Sequence, residues 1–166
     1  MKTSKLTLLL AILTFLLIGF GCSDKSSNPS DPVPEELVGV WGFVSATVND
    51  VPVSTFSEIS HNDEAITGEI EFTLDRTWST AEYPAGYDPE GLDPIFTQSG
   101  TFTVDGSTLH MKRTMYDGDP VSPAYEYDVT FVISYYNQLT ITESTTVGSE
   151  TVTIAATYGL IVSYIK

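Results

Sequence analysis

The chain has 166 residues, with 7 Lys and Arg against 22 Asp and Glu for a formal charge of -15 at pH 7, and it carries 12 Gly, 9 Pro and one Cys. That size fits one domain with short extras and argues against a multidomain enzyme. So acidic a chain offers no positive surface to phosphates or anionic headgroups, which excludes nucleic acid as a partner, and one Cys with His61 and His110 makes neither an internal disulfide nor a zinc cage.

Lys2 and Lys5 precede an apolar run from Leu6 to Phe20, followed at once by Gly21, Cys22 and polar residues. A helix over that run rises only about 22 Å at roughly 1.5 Å per residue, short of a hydrocarbon layer of roughly 30 Å. Residues 1–21 therefore read as a cleaved secretory signal peptide. Small residues ahead of Cys22 resemble the lipobox of bacterial lipoproteins, although Gly19 and Phe20 stand where that motif usually has other residues. The resemblance implies lipid attachment at Cys22, a cell-envelope location and, from Ser23 in the following position, the outer membrane. Residues 22–36 are rich in Ser, Pro and Asp with little apolar content, the composition of a flexible tether.

From residue 37 to 166 the dominant period is two, with turn signals roughly every 8 to 12 residues and no helical stripe, so the body is expected to be all-β. Strands are placed at Val38–Val48, Gly68–Leu74, Thr77–Tyr83, Gln98–Val104, Ser107–Thr114, Tyr125–Tyr135, Gln138–Thr145 and Thr151–Tyr164, the last with a break at Gly159. Ile70, Phe72 and Leu74 form one inward row, Tyr125, Tyr127, Val129, Phe131, Ile133 and Tyr135 another. Phe102 and Val104 continue into Leu109 and Met111 across the Asp105-Gly106 turn. Leu139 and Ile141, then Val152, Ile154, Ala156 and Tyr158, complete the inner set.

The connections at Asp75-Arg76, Asp105-Gly106 and 136–138 are tight, while 49–66, 84–97 and 115–124 are long. In an up-and-down order the tight turns fall at one end and the long loops at the other. That is the layout of an eight-stranded antiparallel β-barrel, closed below and open above.

Leu37-Val38-Gly39-Val40-Trp41 resembles the Gly-x-Trp opening of lipocalins, with Gly39 and Trp41 as the motif residues, and the phrases GTFTVDGSTLHM and YNQLTITE resemble hairpins of small bacterial lipocalin-like lipoproteins. The chain has no Thr-Asp-Tyr triplet in its middle and no Arg on its last strand to cover the tryptophan. The resemblance thus implies the barrel architecture more than any binding activity, with no cofactor.

Candidate chemistry gathers at the expected mouth. Arg113 continues the row of Leu109 and Met111, and Glu143 the row of Leu139 and Ile141. Both either point into the barrel, where they would pair or meet a ligand's polar head, or sit solvated on strands that have left it. Tyr83, Arg113, Tyr125, Tyr127 and Glu143 are the candidate polar ring, above an apolar floor of Met111, Val129 and Ile141. Trp78 and Tyr83 cannot both face inward on a period of two, and Trp78 is assigned to the core under Leu74. The acids of 87–93 and 117–119 read either as solvated turns or as oxygen ligands for calcium. His61 and His110 read as surface residues, and no nucleophile has a base beside it in sequence. The expected function is non-catalytic binding of a small apolar or amphipathic molecule. The alternative is an interaction module whose barrel is filled by its own Tyr and Phe side chains and whose loops meet another envelope protein.

Overall fold

Alternating apolar and polar residues fold here into strands that close on themselves. The computed structural model describes residues 31–62, 64–84, 93–134 and 137–163. Its strands are β1 (Gly39–Val48), β2 (Val51–Pro52), β3 (Ala65–Phe72), β4 (Thr77–Pro84), β5 (Phe96–Asp105), β6 (Thr108–Tyr116), β7 (Asp119–Ser134), β8 (Gln138–Val147) and β9 (Glu150–Ser163). Sequential antiparallel pairing from β3 to β9, with β1 joined to both β3 and β9, makes a closed eight-stranded up-and-down barrel; β2 is a short spur on β1. Closure gives each barrel strand a neighbour on both sides over at least part of its length.

β1 runs antiparallel to β9 along its whole length, with bulges that leave Val44 and Ile161 as extra outward residues. β9 passes through Gly159 unbroken, contrary to the break expected there. The bulges, which raise local twist, are the irregularity that a closing strand pair requires.

The core occupies the closed end. Trp41, Phe72, Trp78, Phe102, Val104, Leu109, Met111, Val129, Phe131 and Leu139 all bury there. Below them a single 3-10 turn, Glu35–Leu37, inserts Leu37, whose carbonyl accepts the Trp41 indole N–H at 2.9 Å. Gly39 is required by geometry: its φ of 152° suits few side chains, and a Cβ there would lie 2.3 Å from the Val162 carbonyl oxygen. Asp31 also docks at this end, its N–H on the Val104 carbonyl and its carboxylate on the Gly106 N–H. The tether segment expected over 22–36 is therefore held to the barrel from Asp31 onward.

Three further expectations change. Leu74 is 58% exposed, because β3 ends at Phe72 and the chain turns at Arg76; Trp78 instead meets Tyr127 edge to face and donates to the Thr101 carbonyl. The segment 115–124 is not a long loop: Tyr116 pairs with Asp119 across a two-residue turn, and the extra residues are taken up where the register jumps between Arg113–Tyr125 and Met115–Pro120. Finally, the loop after β1 folds inward rather than rimming an open mouth, as described next.

Candidate functional site

β1 and β3 pair only from Gly39–Phe72 to Gly42–Glu69, so toward the mouth the wall between them is open. The loop after β2 fills that gap. A second 3-10 turn, Phe56–Glu58, is fixed by a capping box in which the Thr55 side chain and the Glu58 carboxylate satisfy each other's turn amides. Ser54 and Thr55 groups donate to Glu58, which holds its carboxyl below the usual carboxylate range. The turn buries Phe56 over Gly68 and against the Phe43 ring at 4.7 Å.

Beyond this plug the chain delivers Ser60 and His61 over the barrel. Glu82, 5% exposed, accepts from Ser60 Oγ at 2.9 Å and from the His61 backbone N–H at 3.1 Å, and its Oε1 lies 3.1 Å from His61 Nδ1. The His61 ring stacks on Phe96 at 4.8 Å and meets Tyr116 edge on. Gln98, also buried, places Nε2 at 3.3 Å from His61 Nδ1. Its Oε1 accepts from Arg113 Nη1 at 2.6 Å. A buried acid and amide are thus satisfied by one connected network, the condition under which buried polar groups are tolerated.

Arg113 points into the barrel, so the solvated alternative does not hold for it. Its guanidinium lies over the rings of Tyr116 at 4.8 Å and Tyr125 at 5.0 Å, while its Nε is buried without an acceptor among the described residues. The expected meeting of Arg113 with Glu143 does not occur as an ion pair; Arg113 Nη1 donates to Gln98 Oε1 instead. Glu143 is inward too, and burial pushes its carboxyl up, against the nearby charges of His61 and Arg113. Tyr125 and Tyr127 stack on each other at 5.5 Å, and burial, with the Glu143 charge, raises both hydroxyls. Burial pushes the Tyr158 hydroxyl up to about 12.

Tyr83 is not in this ring. Because Trp78 is inward, period two sends Thr80 and Glu82 inward and Tyr83 outward, where its hydroxyl donates to Glu69 at 3.4 Å. Met111 and Val129 lie within the packed core and Ile141 packs against it, so the expected floor is occupied by neighbouring side chains. The acidic segment 87–92 and Cys22 lie outside the described residues. His110 is on the outer face, with Nδ1 at 2.6 Å from Asp128.

The wall opens a second time between β7 and β8. Their pairing stops at Thr130–Thr142, yet both strands continue toward the mouth. The gap is a cleft of about 330 Å³ lined by Tyr125, Glu126, Tyr127, Asp128, Glu143, Ser144 and Thr145.

The sequence reading missed Glu82, Gln98 and His61. Glu82 was recoverable, since fixing Trp78 inward fixes Glu82 inward; His61 was not, because nothing local says that its loop folds back.

No family model matches the chain, and no curated protein does. Among solved structures, a double mutant of the vaccine antigen transferrin-binding protein B from Haemophilus parasuis superposes with a TM-score of 0.36 and 14% identity, over 80% of this chain and 27% of that one. The chain thus spans about a quarter of that protein's length.

Proposed function

We propose that this protein is a non-catalytic binding module of the bacterial cell envelope, lipid-anchored at Cys22 and directed to the outer membrane, which recognises a partner protein through its surface. The observation that carries the reading is the filled lumen. Side chains from facing staves meet along its height: Phe72 with Phe102 at 5.3 Å, Trp78 with Tyr127 at 6.4 Å, and at the mouth the network from His61 through Gln98 to Arg113. An eight-stranded barrel is just wide enough to be plugged by side chains or to hold one small ligand. Here its own residues take the space that a carrier would keep for cargo. A packed barrel serves instead as a rigid platform for surface recognition.

The anchor and the location rest on the apolar run ending at Cys22, on Ser23 after it, and on the resemblance to lipocalin-like lipoproteins. Native mass spectrometry of protein purified from its own host tests the reading. The expected spectrum shows the acylated chain with no retained small molecule; a co-purifying lipid or pigment would overturn it in favour of a carrier.

A further inference from the structure

Glu143 projects into the cleft between β7 and β8 with no hydrogen bond or ion pair to a protein donor among the described residues. Consecutive residues of both strands line this cleft, which lies between their two edges. Past Thr130 and Thr142 each strand keeps its partner on the far side, β6 for β7 and β9 for β8, and has none on the near side among the described residues. Two strand edges are therefore left facing a gap. Such edges are templates for another strand, and main-chain pairing there supplies affinity while alternate side chains supply specificity.

The charge around the cleft selects the kind of strand. Glu126 and Asp128 sit at its outer lip, engaged by Lys112 at 3.0 Å and His110 at 2.6 Å. Glu143 sits at its inner side, and the chain as a whole is strongly acidic. An incoming acidic strand would be repelled, and a basic one attracted and oriented.

We propose that the β7–β8 cleft is the docking site for an extended, basic segment of a partner protein, which adds as a strand to the free edges and directs a Lys or Arg side chain to Glu143. This deepens the surface-recognition reading and rests on it. Burial raises the carboxyl of Glu143, and a cation beside it would restore the ionised form.

The test uses the full-length acylated protein in detergent and three short fluorescein-labelled peptides alternating Thr and Val. One has a central Lys, one a central Glu, and one the central Lys with N-methyl groups on alternate residues along one edge. Fluorescence anisotropy should show saturable binding of the Lys peptide, with the Glu and N-methyl peptides each weaker by about tenfold or more, the scale of one charge-assisted hydrogen bond. Glu143→Gln should weaken the Lys peptide by about tenfold while binding the Glu peptide no worse. Equal binding of the methylated peptide would overturn strand addition, and equal binding of the Lys and Glu peptides the role of Glu143. No binding by any peptide would overturn the site, as would concentration-dependent self-association through the same cleft, which would make the occupant a second copy. Any of these results beside a clean native mass spectrum removes the cleft alone and leaves the filled-barrel reading standing.

Discussion

Glu143 shows how a single side chain sets a pH dependence. Its carboxyl is raised by burial from a reference of 4.5, so between that reference and the higher folded value the native state holds more protons than the unfolded chain. Stability from this group is then fully present below pH 4.5 and is lost as pH rises through the folded value. Glu143→Gln should therefore melt higher than the wild type at neutral pH, with the difference closing as pH falls below the carboxylate range; thermal melts across that series check the sign. Removing the Glu82 carboxylate would instead leave the Ser60 hydroxyl and the His61 backbone N–H without their acceptor. Much of this could be read from sequence. The rows ending in Arg113, Tyr125, Tyr127 and Glu143 were legible from alternation, and their inward direction is what the structure has. What alternation could not give was the partner of Arg113. Gln98 reaches it because β5 and β6 slip register between Ser99 and Gly100, and a bulge leaves no periodic trace.

At the scale of elements, the two openings in the wall receive different treatment. The opening between β1 and β3 is stoppered by the turn at Phe56–Glu58, whereas the opening between β7 and β8 is left as a cleft. Phe56→Ala should release the stopper: amide exchange across Ser60–Asn62 should quicken, while the β5–β6 hairpin stays protected, as hydrogen exchange followed by mass spectrometry would resolve. Equal acceleration in both would mean that the turn supports the whole barrel. The hairpin itself depends on Gly100, where a Cβ would stand 1.9 Å from the Lys112 carbonyl oxygen. Gly100→Ala must push backbone apart rather than a flexible side chain, so a loss of about 1–3 kcal/mol or more in chemical denaturation is expected. The hairpins were legible as elements because paired apolar rows flank their turns. The 115–124 segment has the composition of a loop because its Pro and Gly residues mark turns equally well inside a bulged strand.

For the whole molecule, the packing at the closed end fixes where the N-terminal segment meets the barrel. Asp31 is fixed beside the turn at Gly106, and Arg76 donates to its carbonyl at 3.1 Å, so the N-terminal segment meets the barrel at the closed end. From Cys22 to Asp31 an extended chain spans at most about 30 Å at roughly 3.3–3.6 Å per residue. The strands of the barrel add about 25 Å more between the closed end and the mouth, from ten residues of β1 at roughly 3.3 Å each and the tilt of a barrel. An acylated Cys22 would thus keep the turn at Gly106 near the lipid and hold the β7–β8 cleft outward, where a partner can reach it. The net negative charge would work in the same direction, since anionic headgroups would repel the body. A photo-crosslinking residue placed at Asp105 should label lipid in whole membranes, and one placed at Ser149, on the turn between β8 and β9 at the mouth, should not. Cys22→Ser should abolish lipid labelling at both positions by releasing the protein. Labelling from Ser149 that equals labelling from Asp105 would mean that the barrel lies on its side, which would put the cleft within reach of the headgroups and defeat its use as a surface for an incoming strand.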